Sequence, residues 1–474
     1  MRDKLSFMQK QNDDINLSGP KRLNLGLRDL NKTLVALAFP SVIENSLYSL
    51  VFFSDTLIVG WLRNENFLAA AALAGIMMFL FNAPFIALSL AATSIVSRSW
   101  GENAYETARK HAGCAMTIGF VLAFAMLIAG WPFARQIIVL FGASEQVAPV
   151  GGNYLRILLF SCLGGLPMMV SNGMLRGMGD TFRPMLITGL MNVINIIVSI
   201  MLAFGIFAPK LGVYGVAWGT VIARSVGIFL SMAFLIRHTG LGLRWGHFLP
   251  LQKNVAARLW YLAMPALAER GLNSFCYMLF MRLVAQLGTT VLAAHNVASQ
   301  IEAIAFMPAW GLAIAATTIT GQSIGAGLPR IAKIAVKRIL IAAGILTVTL
   351  SMLFLLFGPQ IASIFRATEQ VVRLGGLAVR LSALELPFLA TTFVFVGALR
   401  GAGDTKSPLY VSVASTVIFR LGGVFLLCYV FHLGLAGVWL ATAADWAARA
   451  VGLGWFFKRE AWTLLHQKEK ARFE

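Results

Sequence analysis

Met174-Leu-Arg-Gly-Met-Gly-Asp-Thr-Phe-Arg-Pro184 decides how this chain is read, because Ala398-Leu-Arg-Gly-Ala-Gly-Asp-Thr-Lys-Ser-Pro408 repeats it. Arg176, Gly177, Gly179, Asp180, Thr181 and Pro184 recur at Arg400, Gly401, Gly403, Asp404, Thr405 and Pro408, an offset of 224 residues between Asp180 and Asp404. The same offset carries Phe141, Glu145 and Arg156 onto Phe365, Glu369 and Arg380, and Pro84, Thr93 and Gly101 onto Pro308, Thr317 and Gly325. Near the start of each half it slips by one, so that Pro40-x-x-x-Glu44 matches Pro265-x-x-x-Glu269. Spread over this much sequence, the pattern is a duplication of the chain and not a stray motif.

Composition places the duplicated unit in a bilayer. The 474 residues are 58% hydrophobic and 12% charged, with a mean hydropathy of +0.76, which is too apolar for a soluble globule. The net charge of +19 would suggest nucleic acid in a soluble protein. Here the Lys and Arg cluster between apolar runs, as the positive-inside rule expects, and no nucleic-acid partner is inferred. Cys114, Cys162, Cys276 and Cys428 lie inside apolar runs without C-x-x-C spacing, which points to neither disulfides nor a metal. Residues 1–32 are polar and mixed in charge, and read as a solvated tail.

A helix needs roughly twenty apolar residues to cross a bilayer, and the chain offers twelve such runs, from Leu34 to Trp61 through to Leu435 to Phe457. Long apolar runs in lipid must be helical, because nothing there pairs with a free backbone amide. The fold class is therefore all-α integral membrane, with twelve transmembrane helices in two six-helix repeats. The tail and the even-numbered connections hold most of the Lys and Arg, which places both termini in the cytoplasm. Six helices per repeat is an even number, so the repeats run parallel, and the interface between them is the natural place for a cavity. The expected organisation is a tail at 1–32, an N-terminal lobe at 33–237, a cytoplasmic linker at 238–257, a C-terminal lobe at 258–458 and a cytoplasmic tail at 459–474.

The duplicated Arg-Gly-x-Gly-Asp-Thr falls in short turns after helices 4 and 10. Its glycines suit a tight reversal, the Asp or Thr can cap the next helix, and the Pro fits that helix's first turn. Arg176, Gly177, Gly179 and Asp180, with Arg400, Gly401, Gly403 and Asp404, are thus assigned to structural turns. A phosphate cradle would need a Gly-Lys-Ser/Thr ending that is absent. The chain shows no ATPase segment, so active transport would draw on an ion gradient.

Acids inside a membrane are costly unless they are paired, protonated or facing water, which makes each one a functional candidate. Glu44 and Asp55 are eleven residues apart, close to three helical turns, and Tyr48 shares their face. Helix 7 repeats the stripe as Glu269, Asn273 and Tyr277. A carboxyl in such a setting can exchange a proton near neutral pH, which a coupling site requires. Glu44, Asp55, Glu269 and Asn195 are the expected coupling residues, and Tyr48, Asn273, Tyr277 and Glu302 the expected cavity lining. Glu385 is expected near the outer interface, and Asp445 with Arg449, one turn apart, as an ion pair that Arg420 could join. Asn192 and Asn195 can hydrogen-bond between helices, and His295 reads as a structural group. No His pair, metal-ligand spacing or nucleophile-base set appears, so the chain is not read as an enzyme.

Twelve helices in two parallel halves, Asp55-Thr-x-x-x-Gly60 at the end of helix 1, Leu292-Ala-Ala-His295 at the start of helix 8 and the twin Leu-Arg-Gly-x-Gly-Asp-Thr turns together resemble the multidrug and toxic compound extrusion (MATE) family. The resemblance covers nearly the whole chain after the tail. It implies a cation-coupled antiporter that expels amphipathic organic compounds, often organic cations or drugs, by alternating access. It also implies that Asp55 acts in ion coupling and that Asn195 matches the helix 5 asparagine of the DinF-type branch. Ser199 stands where that branch has an aspartate, Leu386 to Val396 lacks the aspartate of NorM-type members, and Glu269 lies earlier in helix 7 than their glutamate. The remaining acids favour a proton over sodium, with Asp55 as the place a sodium ion would sit and no dedicated metal site. No cofactor is expected beyond that gradient, and the expected state is a monomer in a bacterial inner membrane. The alternative is a flippase for lipid-linked oligosaccharides on a related twelve-helix fold, for which Arg224, Arg270, Arg282 and Arg420 would serve.

Overall fold

The structure, a computed structural model, describes residues 23, 25–26, 29–237, 241–249, 251–365 and 368–473. Most of the expected 1–32 tail, and 238–240 and 250 of the expected linker, lie outside the described residues. Twelve long helices follow in order: α1 (Leu30–Trp61), α2 (Glu65–Gly101), α3 (Tyr105–Leu140), α4 (Val147–Gly177), α5 (Phe182–Phe204), α6 (Val213–Arg237), α7 (Lys253–Gln286), α8 (Thr289–Gly325), α9 (Pro329–Ser363), α10 (Glu369–Ser382 and Leu386–Ala402), α11 (Lys406–Val430) and α12 (Gly434–Lys458). Among the described residues nine are long and apolar enough to cross a membrane, or ten with the two parts of α10, bent by 51°, taken as one span. The two others carry internal charges: Glu269, Arg270 and Arg282 in α7, Asp445 and Arg449 in α12. Polar contacts described below account for most of these.

Apolar side chains point both inward and outward, as a protein dissolved in lipid requires. The outer faces of α3 and α9 expose Phe124, Ile128, Met352 and Phe357. Inside, Leu155, Leu159, Leu166 and Val216 pack between α4 and α6 in the first half, and Ile301, Val379 and Trp439 between α8, α10 and α12 in the second. The chain after α12, expected as a tail, instead buries Trp462 and continues into α13 (Leu465–Phe473), whose His466 and Glu469 are also buried.

The duplicated turns are built alike. Gly179 and Gly403 take φ of +92° and +96°, a left-handed conformation that glycine adopts without a steric penalty. The Asp that follows caps the next helix: Asp180 accepts from the Arg183 amide at 3.1 Å, and Asp404 from the Ser407 amide at 2.9 Å. Thr181 instead donates to the Ala36 carbonyl. Gly177 and Gly401 let helices touch, since a Cβ on Gly177 would lie 2.8 Å from the Thr93 carbonyl oxygen and one on Gly401 closer still to that of Thr317.

These turns also stitch the halves together, a role that reading them as reversals alone leaves out. Ser94 of α2 donates to the Arg400 carbonyl at 2.6 Å, and its repeat-mate Thr318 of α8 donates to the Arg176 carbonyl at 2.9 Å. Gln322 reaches the Gly177 carbonyl at 2.9 Å. At the same end α2 and α8 meet through Gly101 against Gln322 and Gly325 against Arg98. The seam is closed at this end, which carries most of the basic connections.

Candidate functional site

Three polar networks lie within the helices. The first is itself duplicated. Glu44 of α1 is fully buried and bonds Arg176 at 2.8 Å, with Asn172 at 3.4 Å. Glu269 of α7 bonds Arg400 at 2.7 Å and accepts from Ser412 at 3.1 Å. Each half thus pairs the acid of its first helix with the arginine of its Leu-Arg-Gly turn. In the sequence alone the two motifs stand apart, as acids inside helices and as turns, and the structure makes them partners. Helix geometry places Glu44 and Asp55 on one face, but the folded chain commits them to different networks. Tyr48 joins Glu44 through Asn172, at 3.4 Å from its hydroxyl.

The second network surrounds Asp55. The Thr220 hydroxyl of α6 donates to Asp55 Oδ2 at 2.9 Å, and Asn195 of α5 donates to the Thr220 oxygen at 3.1 Å. Ser54 closes the ring to Asn195 at 3.5 Å. Asp55 Oδ1 has no hydrogen-bond partner among the described residues. Asn195 thus reaches Asp55 by way of Thr220, a residue that sequence spacing did not single out. Ser199 bonds the Val216 carbonyl of α6, apart from this ring.

The third network lines a cavity of about 600 Å³ bounded by α2, α7, α8, α10, α11 and α12. Glu269, Asn273 and Tyr277 lie on its wall, while Asp55, Glu44, Tyr48 and Glu302 do not. Glu302 is buried beside Glu385, which is itself buried at the break in α10, and both are within electrostatic reach of Arg420. Four arginines line the cavity: Arg270, Arg400, Arg420 and Arg449. Asp445, just behind the wall, holds two of them, with Arg420 Nε and Arg449 Nε each at 2.9 Å. Ser415 also donates to the Asp445 carboxylate, at 2.6 Å. Arg449 also donates to Thr416, which donates to Asn273 at 2.9 Å. The expected Asp445–Arg449 pair with Arg420 as third member is therefore present.

Local backbone explains why Arg420 reaches inward. α11 widens into π-helical turns at Thr416–Leu421 and Phe425–Val430, which shift the side chains after the bulge around the helix; such bulges often occur at functional sites. His295 is buried between Phe280 and Trp439, each at 5.5 Å, a packing role. Among the described residues no three His, Cys, Asp or Glu side chains converge as a metal cage.

Comparison with known proteins agrees with this architecture. Residues 40–201 and 265–426 each match the family model MatE, together more than half of the chain. A protein of Thermotoga maritima named a probable multidrug resistance protein NorM is 28% identical over 92% of this chain and 93% of its own. A solved structure described as the outward-facing conformation of a multidrug resistance MATE family transporter of the MOP superfamily has a TM-score of 0.85 at 22% identity, covering 93% of this chain and 98% of that one. A MOP superfamily transporter from Pyrococcus furiosus, described as having a binding pocket of reverse polarity that suggests a different function, has a TM-score of 0.83 at 24% identity over 93% and 98%.

Proposed function

The chain belongs to the MatE family of multi-pass membrane transporters, and from that premise we propose that it is a proton-coupled antiporter exporting amphipathic small organic compounds by alternating access. The observation that carries the coupling is Asp55: a carboxylate inside the membrane that accepts from a hydroxyl which in turn accepts from an amide, with one oxygen unpartnered among the described residues. A carboxylate already held by arginine has its charge answered, as at Glu44 and Glu269. Among the described residues Asp55 has no such partner at bonding distance, so it is the group best placed to take up and release a proton or, in the sodium alternative, a sodium ion.

The basic end is assigned to the cytoplasm by its lysines and arginines, in a bacterial inner membrane, and the protein would act as a monomer. With the seam at that end closed, the state described here would be outward-facing, as is the relative named above. Export then requires the seam of Ser94, Thr318 and Gln322 to open while the far end closes, a rigid-body change of one half against the other.

The decisive test uses proteoliposomes with imposed gradients. Asp55→Asn is expected to abolish gradient-driven efflux of a dye panel while the protein still inserts and folds. Undiminished efflux by that variant would remove Asp55 from coupling. Running pH and sodium gradients separately decides the ion. A second reading, flipping of a lipid-linked anion, is favoured by one observation, the arginine lining of the cavity. An envelope defect on deletion, without any change in dye efflux, would select it.

A further inference from the structure

The resemblance implies an organic cation as cargo, yet the wall of the cavity carries an excess of positive charge, the same sign as such a cargo. We propose that this cavity takes amphipathic anions: an aromatic or aliphatic body bearing one carboxylate, sulfonate or phosphate. The proposal rests on the transport reading above and specifies its substrate.

The charge count carries the argument. Of the five charged residues on the wall, four are arginines and only Glu269 is an acid. Glu269 is committed to Arg400 at 2.7 Å. Asp445 lies behind the wall and receives both Arg420 and Arg449, so one carboxylate answers two guanidinium groups. Arg270 has no carboxylate within ion-pair distance among the described residues and lies 5.4 Å from the centre of the Phe79 ring. Two positive charges are therefore left over at the wall. Glu302 and Glu385, side by side behind Arg420, do not line it; a single negative charge on that pair still leaves one excess cation.

The remaining surface suits the rest of such a molecule. Phe79, Tyr277, Phe306, Trp310, Phe393 and Trp446 line the same cavity, and Arg449 and Arg420 lie 5.0 and 5.7 Å from the Trp446 ring. A volume of about 600 Å³ is within the range of drug-sized pockets. Arginine forks present paired N–H donors that fit carboxylate, sulfonate or phosphate oxygens, and a guanidinium stacked on a ring keeps its edge donors free. An organic cation in this cavity would face uncompensated like charge.

The test is equilibrium binding to the purified full chain without any gradient, comparing pyrene sulfonate with pyrenyl trimethylammonium, which differ in charge on the same ring. The sulfonate is expected to bind roughly tenfold tighter, the size of one charge-assisted contact. Arg270→Gln should remove most of that preference and Arg270→Lys keep part of it. Equal or tighter binding of the ammonium probe by the unmodified protein overturns the proposal, whatever the variants do, and so does an unchanged preference in a folded Arg270→Gln. Competition with phenyl phosphate and with dodecyl phosphate separates a soluble anion from a lipid-like one; displacement by either supports the proposal, and displacement by neither overturns it. Because no gradient is present, failure here leaves Asp55 coupling intact, whereas efflux that survives Asp55→Asn sinks the coupling alone.

Discussion

The two halves of this molecule share one framework and differ in the chemistry placed on it. In both, the acid of the first helix bonds the arginine of the Leu-Arg-Gly turn, at 2.8 Å for Glu44–Arg176 and 2.7 Å for Glu269–Arg400. In both, a glycine of that turn lets its helix touch a threonine carbonyl. Beyond these fixed points the halves part. The offset that relates Glu44 to Glu269 brings Asp55 to Phe280, so the second half has no acid at the position matching Asp55. Arg420 lies 5.7 Å from the Phe280 ring instead. The first half surrounds an unpaired carboxylate with a hydroxyl and an amide, and the second places two arginines on one aspartate beside the cavity. The shared pairs hold helices in place, and the divergent groups are the ones on which the proposed coupling and the proposed binding rest.

The largest expected effect comes from breaking the shared pair where it is sealed. Glu44 is fully buried, so Arg176→Ala strands a carboxylate away from water and should cost roughly 3–5 kcal/mol. Arg400→Ala should cost less, because Glu269 lies on the cavity wall, where water can reach it. Thermal unfolding of the detergent-solubilised variants measures both, and Glu44→Gln combined with Arg176→Gln should recover much of the loss because neither charge is then left alone. Equal losses for the two arginines would break the contrast between a sealed pair and a wetted one.

A smaller effect, with the opposite ranking, is expected at the glycines. Gly401→Ala drives a Cβ closer to a backbone carbonyl than Gly177→Ala does, and overpacking of this kind costs roughly 1–3 kcal/mol. Backbone oxygens cannot rotate away, so the second-half variant should unfold at the lower temperature. A milder Gly401→Ala would mean that α8 and α10 can separate where α2 and α4 cannot.

The difference between the halves also marks how far the sequence could be read. Helix number, duplication, turn caps and the Asp445–Arg449 pair follow from local spacing: apolar length, a constant offset, an Asp after a glycine, one helical turn. The union of Glu44 with Arg176 does not, because the residues are 132 apart and only the packing of α1 on the other helices brings them together. Thr220 escaped notice for the same reason, being an ordinary small residue on an apolar helix until Asp55 is set against it. Arg420 turns inward through a π-bulge that no short-range pattern announced. Glu302 carried the signature of a cavity acid yet sits behind the wall beside Glu385, since burial depth depends on which neighbour covers a helix face.

The smallest expected effect concerns α13, which is held by both halves. Its Glu469 bonds Arg98 of α2 and Arg258 of α7, both at 2.6 Å, and its His466 meets Glu102 at 2.5 Å. Burial acts to raise the Glu469 carboxyl, but the two arginines outweigh it and hold it below the usual range. Glu102 is likewise held low, burial being outweighed by His466 and Lys470. Burial, and then the Arg98 charge, lowers His466. Its geometry agrees: Nε2 faces the Glu102 carboxylate while Nδ1 lies 3.4 Å from Arg98 Nη1, so Nδ1 accepts that hydrogen bond only when unprotonated. All three groups bind fewer protons when α13 is docked than when it is free, so docking strengthens with rising pH and weakens on acidification. The loss begins as pH falls below the ordinary histidine value of 6.5 and deepens as the carboxylates are reached. Hydrogen exchange of the amides in 465–473, corrected for intrinsic rates, should show modestly more opening at about pH 5.5 than at about pH 7.5, and His466→Gln should flatten that step. Protection that stays level or grows on acidification would mean that His466 and its two carboxylate neighbours do not set how firmly α13 docks on the two halves.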